Sequence, residues 1–431
     1  MTVQIEASQS WSAQPDASWL TADKTDETTL TISAADNTEP NEREAIVTVT
    51  VGNAIAYITI NQLGYEANIH YRELTRFQYD AAISPSGTYA GGFIYSVDEM
   101  SNGFFQPVII ETATDNWHYL DTYSQSLYDL TTTSAITDDG KLFINNNNGG
   151  GNVIFSVSEE PIVPDASAAG FTALPAITAT AADCTTWVGY AQGNDGMYYP
   201  LVWRNGVAEK LPWPEKNFRD EAFLNGIIAR GISADGSVIY GSTWDNYDFG
   251  MVYWKDGVVK YVGEDVHEVT PITVETIVGP VETHMANGMT ATAELYKVSP
   301  NGEWIAGTYR TEAATGDGGA PVTSGYTAAF YNTVEEKTYL IEGFATAIGV
   351  TNDGIGFVST TNMALTTCNV YDIKNGIDLG NINDWVLQNY GYVLPQLTYA
   401  QFASADGHVL FGRINFGGDQ WRSWFLYSNE E

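Results

Sequence analysis

Basic residues are scarce in this chain of 431 residues: 18 Lys and Arg compare with 53 Asp and Glu, and the formal net charge is −35. Nucleic acids and anionic lipid surfaces bind proteins through clustered Lys and Arg, which release condensed counterions. The charge balance therefore argues against both and favours neutral or cationic partners. An alternative explanation, given equal weight, is that the acidity keeps an abundant extracellular protein soluble.

Cysteines and long apolar runs are also few or missing. Cys184 and Cys368 have no metal-ligand spacing and allow at most one disulfide. Because they fall in different repeats, we expect two free, buried thiols. No apolar run is long enough to span a membrane, and no signal peptide begins at Met1.

What the chain does contain is a repeated turn motif, seen in RGISADGSVIYGSTWDN at residues 230–246. Asp235-Gly236 lies between two apolar runs, and Asp-Gly favours a two-residue hairpin turn because both residues can adopt positive φ. Asp256-Gly257 follows between MVYW and VVKYVG. One unit is therefore predicted to contain four strands and two tight turns.

Seven copies of this motif follow one another along the chain. They are ISPSGTYAGG from Ile83, ITDDGKLFIN from Ile136, TAADCTTWVG from Thr180, ISADGSVIYG from Ile232, VSPNGEWIAG from Val298, VTNDGIGFVS from Val350 and ASADGHVLFG from Ala403. The fourth residues of successive copies are 44 to 66 positions apart. A period near 50 in a β-rich sequence predicts a propeller, with one four-stranded sheet per repeat.

The two ends of the repeat region favour a closed propeller over a solenoid of stacked hairpins. After the seventh motif, HVLFGRINFGGDQWRSWFLYSNEE is long enough for two further strands but not three. IHYREL at residues 69–74 has the pattern of the missing fourth strand. We therefore expect residues 69–74 to pair with the strand that contains Trp424 to Tyr427 and to close a seventh blade, which removes the sheet edges.

The first 64 residues have a different pattern. AIVTVTV and AYITINQ alternate with a period of two, which indicates antiparallel strands with one buried face. Trp11, the SWL at residues 18–20, the turn at residues 37–43 and the closing INQLG match the BACON domain in order. This stretch resembles that family, a small β-sandwich of Bacteroidetes surface proteins. Its leading strand is shortened here, so we expect the native chain to begin upstream.

These resemblances define the expected domains. The fold class is all-β: an N-terminal Ig-like β-sandwich at residues 1–64 and a C-terminal seven-bladed β-propeller at residues 65–431. The repeats are similar to the broad S-x-D-G propellers, including HAF-type and TolB-like repeats, a resemblance that implies fold and little else. The BACON resemblance implies either carbohydrate binding or a spacer role. We expect Trp11 and Trp19 to pack in the sandwich core rather than to form a sugar platform.

Catalytic motifs are missing. Gly follows Asp directly in the repeats, so the Ser-x-Asp-x-Gly box of sialidase-type propellers is not matched, and neither G-x-S-x-G nor H-E-x-x-H occurs. The five histidines do not cluster in sequence, and 53 acidic residues make any chosen carboxylate pair uninformative. We expect no catalytic residues, no metal and no cofactor. A secreted propeller hydrolase or lyase acting on polysaccharide is the alternative.

The long loops between strands carry the remaining sequence evidence about function. In a propeller, the connections from second to third strand and from one blade to the next emerge on one face. Here they combine aromatic residues with Asp, Asn and Gln, as in YAQGNDGMYY, PWPEKNFRDEAF and NINDWVLQNYGY. Such residues suit a sugar, although they are also ordinary loop formers. The predicted ligand-binding residues are Trp213, Trp244, Asp245, Tyr247, Tyr309, Arg310, Trp385, Phe416, Asp419 and Trp421.

The expected function is that of a non-catalytic protein at the cell surface that binds a glycan or another neutral nutrient. The BACON resemblance implies an accessory lipoprotein of an outer-membrane glycan-uptake system, anchored in the outer membrane in its native form. We therefore expect a transporter complex as a binding partner, and we do not expect nucleic acid as one.

Overall fold

Strands make up nearly all the regular structure of the computed structural model. It describes residues 2–35, 37, 43–62, 69–74, 81–97, 103–120, 130–146, 151–157, 160–244, 250–276, 279–290, 296–313, 322–360, 368–395, 398–415 and 421–428. Met1–His70, Val386–Val393 and Ser428–Glu431 form one compact unit, the N-terminal unit. Tyr71–Trp385 and Leu394–Tyr427 form the other, the propeller unit. The all-β fold class is confirmed.

The N-terminal unit is a β-sandwich of two three-stranded sheets. Its strands are β1 (Thr2–Gln4), β2 (Trp11–Pro15), β3 (Leu20–Lys24), β4 (Thr29–Ala34), β5 (Arg43–Val51) and β6 (Ala54–Gln62). The sheet orders are β1-β4-β3 and β2-β5-β6. Alternate residues of β5, Ala45, Val47 and Val49, enter the core, as the period-two pattern requires. Trp11 is 5% exposed within the same core, as expected.

The propeller unit contains seven sheets among the described residues. The first strand of the unit, β7 (Ile69–Glu73), belongs to sheet 7, whose other strands come last in the chain. Sheet 1 comprises β8 (Ala82–Ile83), β9 (Tyr89–Val97), β10 (Gly103–Glu111) and β11 (Asn116–Tyr119), and sheet 2 comprises β12 (Leu130–Ile136), β13 (Leu142–Asn146) and β14 (Gly151–Phe155). Sheet 3 comprises β15 (Ala176–Thr180), β16 (Thr186–Gln192), β17 (Tyr198–Arg204) and β18 (Val207–Lys210), and sheet 4 comprises β19 (Ile227–Ile232), β20 (Val238–Thr243), β21 (Met251–Lys255) and β22 (Val258–Tyr261).

The remaining sheets follow in chain order. Sheet 5 comprises β23 (Glu268–Thr276), β24 (Gly279–Thr290), β25 (Trp304–Ala313), β26 (Val322–Asn332) and β27 (Lys337–Ile341). Sheet 6 comprises β28 (Thr346–Val350), β29 (Ile355–Ser359), β30 (Cys368–Asp372) and β31 (Ile377–Asn381). Sheet 7 comprises β32 (Thr398–Ala403), β33 (Val409–Asn415), β34 (Trp421–Ser428) and β7. The hairpin of β23 and β24 accounts for the 66-residue spacing and gives sheet 5 its fifth strand.

Sheet 7 joins the two ends of the repeat region. Strand β7 lies beside β34, and the backbone N–H of Leu74 donates to the Ser423 carbonyl at 2.9 Å. Val409 and Phe411 of sheet 7 share a buried cluster with Ile83 of sheet 1. Similar apolar clusters lie between the sheets that precede sheet 7. Packing of successive sheets face to face produces a propeller fold.

The Ser-x-Asp-Gly motif forms a longer turn than the sequence suggests. The N–H of Gly236 donates to the Ser233 carbonyl at 2.9 Å, and the Ser233 hydroxyl donates to Asp235 Oδ1 at 2.6 Å. Gly236 has a φ of +75°, whereas Asp235 has no positive φ. The expectation that both residues adopt positive φ is therefore wrong here, because the Ser–Asp side-chain bond stabilises a turn with glycine as its last residue.

Between the third and fourth strands of sheet 4, the same dipeptide does form the predicted two-residue turn. Asp256 has a φ of +52° and Gly257 a φ of +76°. Positive φ at both central residues defines the hairpin turn whose twist matches that of the flanking strands. The Asp-Gly dipeptide therefore has two different conformations within one sheet.

Hydrogen bonds link the motif turns of neighbouring sheets. They join Ser86 N to Asp138 Oδ1 at 3.0 Å, Ala182 N to Ala234 O at 2.8 Å, Asp235 N to Pro300 O at 3.1 Å, Asn301 N to Asn352 Oδ1 at 2.8 Å, and Asn352 Nδ2 to Ala405 O at 3.3 Å. The motif therefore has a structural role, since it ties the turns of five pairs of neighbouring sheets together.

The segment NINDWVLQNY, expected as a loop, forms helix α1 (Ile382–Tyr390). Asn381 precedes it and its side-chain oxygen accepts the backbone N–H of Asp384 at 2.9 Å. Asn is a favoured residue for capping a helix in this way, which explains where the helix begins. With the short 3₁₀ helices Ser167–Ala169 and Glu264–Val266, α1 completes the helices of the described residues, and none of these could cross a bilayer.

Candidate ligand-binding surface

Half of the predicted ligand-binding residues have described side chains. Asp245, Tyr247, Phe416 and Asp419 lie outside the described residues, and Trp421 begins β34 with a side chain that is likewise not described. The other five are Trp213, Trp244, Tyr309, Arg310 and Trp385. Tyr309 and Arg310 are neighbours in β25, whereas the other three lie in different sheets or connections.

Four of these five residues pack within their own sheets or connections. Trp244 follows β20, and the Arg230 guanidinium carbon lies 5.1 Å from its ring centroid. Tyr309 is half-buried in β25 against the core between sheets 4 and 5, and Arg310 beside it is 8% exposed. Trp385 lies in α1, with its ring centroid 5.9 Å from that of Phe357.

Trp213 belongs to a line of four aromatic rings, which we call the aromatic row. It consists of Phe171, Tyr199, Trp213 and Phe223. Successive ring centroids are 5.3, 5.0 and 5.0 Å apart. Phe171 is buried, and the other three rings are half-buried. Three partly accessible rings in sequence offer a continuous apolar strip at the protein surface.

A polar pocket lies beside Phe171 and Tyr199 at one end of the aromatic row. Its volume is about 270 Å³, and it is lined by Gly170, Phe171, Thr172, Gln192, Gly193, Asn194, Asp195, Tyr199 and Lys210. The ammonium group of Lys210 lies 4.7 Å from the Phe171 ring centroid and 5.0 Å from that of Tyr199. The pocket thus combines ring faces with amide, carboxylate and ammonium groups.

Local sequence explains how this pocket forms. The connection between β16 and β17 closes through two backbone bonds, from Gly193 N to Met197 O at 2.8 Å and from Gly196 N to Gly193 O at 3.0 Å. Asp195 Oδ1 accepts the Met197 N–H at 3.1 Å. This turn meets the segment before β15 and the end of β18. The second-to-third-strand connection and the connection between sheets therefore lie on the same side, as expected for a propeller.

Hydrogen bonding fixes the charge state of the pocket. The Tyr199 hydroxyl donates to Asp195 Oδ2 at 2.7 Å. This bond lowers the pKa of Asp195 and raises the pKa of Tyr199 above its usual value. At neutral pH the carboxylate is therefore an anionic acceptor and the phenol a neutral donor. Together with Gln192 and Asn194, these groups can bind the hydroxyls of a neutral ligand.

A second pocket lies farther along the same connection. Its volume is about 510 Å³, and its lining includes Lys216, Asn217, Asp220, Tyr261 and His267. The His267 ring is stacked on Phe218 with centroids 4.5 Å apart, and its Nε2 lies 2.8 Å from the Phe218 carbonyl. Because burial lowers the pKa of His267, the ring is neutral at pH 7.

An acid–base cluster adjoins this second pocket. His284 Nδ1 lies 3.2 Å from Glu221 Oε1, and Arg219 Nη2 lies 3.3 Å from Glu221 Oε2. Arg219 is 3% exposed. The fold therefore brings two of the five histidines close to one connection, which their positions in the sequence did not suggest.

Sequence reasoning identified part of the aromatic row. YAQGNDGMYY contains Tyr199 and Asp195, and PWPEKNFRDEAF contains Trp213 and Phe223, but Trp213 was the only member of the row among the predicted residues. Phe171 was missed because it follows a 3₁₀ helix in a segment without a motif. Lys210 was missed because it ends a strand. The sequence feature that pointed to this site was the concentration of aromatic residues in two loops.

The family model for BACON, described as "Putative binding domain, N-terminal", matches residues 9–63. This match supports the resemblance read from the first 64 residues. It covers the sandwich and not the propeller unit. A comparison with curated proteins gave no match.

Solved structures with a similar course of the chain include three from different organisms. An oligogalacturonate lyase from Vibrio parahaemolyticus is 12% identical, with a TM-score of 0.44, and the match covers 91% of this chain and 99% of that one. The β-propeller domain of the Trilobed protease from Pyrococcus furiosus is 10% identical, with a TM-score of 0.44 and coverages of 83% and 95%. TolB from Acinetobacter baumannii is 13% identical, with a TM-score of 0.32; the match covers 69% of this chain and spans 59% of that protein.

Proposed function

We propose that this protein binds a glycan or another neutral nutrient at the cell surface without catalysis, and that the aromatic row and its polar pocket are the binding site. The observation that carries the proposal is the arrangement of Tyr199, Trp213 and Phe223 beside Asp195. Ring faces attract the apolar C–H side of a pyranose, and planar polar groups bind its hydroxyls.

The two domains have separate roles in this proposal. Residues 1–64 form the sandwich and act as a spacer, and residues 65–431 form a seven-bladed propeller closed by residues 69–74. Trp11 is buried, and the Arg43 guanidinium carbon lies 4.2 Å from the Trp19 ring centroid, so neither indole is open for stacking on a sugar. The BACON match supports a surface location. We propose an outer-membrane anchor and an accessory role beside a glycan transporter.

The test begins with a glycan array, followed by calorimetric titration of each hit with the full chain. Trp213→Ala should weaken binding by about 1 to 3 kcal/mol, or roughly 5- to 150-fold in Kd, because a stacking ring is lost. Tyr199→Phe should weaken binding less, since it keeps the ring and removes the hydroxyl beside Asp195. Trp117→Ala is the matched control, because that half-buried indole in sheet 1 stacks on Tyr119 at 6.2 Å, away from the aromatic row.

Three outcomes would contradict this assignment. Equal binding by folded Trp213→Ala and Trp117→Ala proteins would remove the aromatic row from the site. Loss of binding in Trp244→Ala, Trp385→Ala or Trp421→Ala proteins alone would place the site at the other predicted residues. Loss on deletion of residues 1–64 alone would place it in the sandwich.

The acid–base cluster supports a second candidate, a polysaccharide hydrolase or lyase acting at the second pocket. A neutral His267 lines that pocket, and the His284–Glu221 pair adjoins it. A neutral His267 can accept a proton from a substrate. Incubation of each array hit, with chromatography of the products, tests this function. Cleavage that is abolished by both His267→Gln and His284→Gln would make the protein an enzyme.

A further inference from the structure

The propeller unit contains a small cavity of about 50 Å³. Its lining includes residues from the first strands of sheets 1, 2, 3, 4 and 7, namely Ile83, Ile136, Thr178, Arg230 and Phe402, together with Tyr296 from the segment between β24 and β25. Because the five strand residues come from five different sheets, the cavity lies where these sheets converge. A cavity of this size has room for a few waters or a small ion.

The cavity has an unbalanced charge. Among the described residues that line it, none is Asp or Glu, and Arg230 is the charged one. Arg230 is 8% exposed, and its Nε donates to the Ser242 hydroxyl at 2.6 Å. Its Nη2 is buried and has no hydrogen-bond partner among the described residues. Burying a guanidinium without a counter-charge is costly, so a positive charge here requires an explanation.

The groups around Arg230 also favour an anion. The Trp244 ring lies 5.1 Å from the guanidinium carbon and covers one side of it. The Tyr296 hydroxyl accepts the backbone N–H of Ile83 at 2.9 Å, so its own proton can be donated. Burial keeps Tyr296 protonated, because it raises the pKa of the phenol. Two hydrogen-bond donors therefore line the cavity, and no carboxylate of the described part of the chain lines it with them.

We propose that this cavity is an anion-binding site in which Arg230 binds a carboxylate group. A carboxylate is the planar anion that a guanidinium binds best, through charge-assisted hydrogen bonds. The carboxylate belongs either to a free short-chain acid or to an acidic sugar. The site lies apart from the aromatic row and does not depend on the proposed glycan function.

The experiment titrates the full chain with sodium acetate, sodium glucuronate and, as the neutral match, glucose. Ionic strength is held constant with the sodium salt of a bulky sulfonate buffer. Calorimetry gives Kd, and thermal unfolding gives the midpoint, which should rise with ligand concentration when the ligand binds the folded state. Binding of acetate would identify the ligand as a free short-chain acid. Binding of glucuronate but not of acetate would identify it as an acidic sugar.

Variants connect the response to the guanidinium. Arg230→Met should abolish carboxylate binding, and Arg230→Lys should weaken it at least tenfold, because an ammonium lacks the planar fork. Arg204→Met is the matched control, since Arg204 is half-exposed and pairs with Glu209 at 3.3 Å on the surface. If Arg230→Met does not fold, the comparison of Kd between Arg230→Lys and wild type still tests whether the guanidinium binds the carboxylate.

Several results would overturn the proposal. These are no response to either carboxylate, an equal response to glucose, or an unchanged Kd in both Arg230 variants. Asp245 follows Trp244 but lies outside the described residues, so Asp245→Asn is included. A carboxylate response that appears in Asp245→Asn and not in wild type would show that the chain supplies its own anion.

Discussion

Replacement of Ser233 by Ala tests whether the Ser-x-Asp-Gly motif stabilises the propeller unit. Ser233 is 1% exposed and its hydroxyl makes two hydrogen bonds. It donates to Asp235 Oδ1 at 2.6 Å and accepts the backbone N–H of Val238 at 3.0 Å. Ser237 offers a matched control, because its hydroxyl donates to the same Asp235 oxygen at 2.7 Å from an exposed position.

The two changes should differ in cost. Ser233→Ala leaves the buried N–H of Val238 without its side-chain acceptor, which costs about 1 to 3 kcal/mol, and removes one bond to Asp235 worth about 1 kcal/mol. The expected loss is therefore about 2 to 4 kcal/mol. Ser237→Ala should cost less than about 0.5 kcal/mol, as surface substitutions do. Ser233→Thr should restore stability, because Thr137 and Thr351 accept the equivalent N–H at 2.9 and 3.0 Å.

Thermal unfolding followed by tryptophan fluorescence measures these differences. The propeller unit has roughly 350 residues, so about 2 to 4 kcal/mol corresponds to a fall in midpoint of about 3 to 5 °C. Equal midpoints for Ser233→Ala and Ser237→Ala would refute the reasoning, because they would show that the Val238 N–H does not need its acceptor. Failure of Ser233→Thr to exceed Ser233→Ala would refute it as well.

Three further predictions concern cysteine, glycine and arginine. A thiol reagent should modify half-buried Cys184 in the native protein and Cys368 only after denaturation, because burial raises the pKa of Cys368 to about 12. Rapid modification of both thiols in the native protein would contradict this prediction. Cys184 has a φ of +59° where other copies have glycine, so Cys184→Gly should stabilise and Gly236→Ala destabilise the protein, each by about 1 kcal/mol in denaturant titrations. Arg230→Met should change the free energy of unfolding by less than about 1 kcal/mol without ligand, whereas a loss of about 3 to 5 kcal/mol would show an ion-pair partner.

The regular part of the fold could be predicted from the sequence because it depends on local pattern. The motif period located the first two strands of every sheet except sheet 5, where the motif precedes the third strand, and alternation identified β5 and β6 of the sandwich. The turn conformation at Asp235 was not predictable from the dipeptide, because the Ser233 side chain decides it. Cys184 was expected to be buried; its half-buried position is a correction, and it follows from its place in an exposed turn.

The candidate sites were less accessible to sequence reasoning because they depend on contacts between distant segments. Phe171 and Tyr199 are 28 positions apart, and their rings meet because two connections lie on the same side of sheet 3. Arg230 stands in the very segment that revealed the repeat. Its significance depends on its burial in a cavity whose described lining holds no carboxylate, and a local sequence pattern does not report that.

The two ends of the sheets have different constraints, and this difference explains where a binding site can develop. At the motif end, several turns share the Ser–Asp or Ser–Asn side-chain bond, and some bond to the next sheet, as Asp235 does to Pro300. A substitution there affects both the turn and the contact between sheets. At the other end, the connections of sheets 3 and 4 line two pockets and contribute to the aromatic row. Because the strands and motif turns already stabilise the ring, those connections can vary in length and chemistry, and ligand specificity can change without loss of the fold.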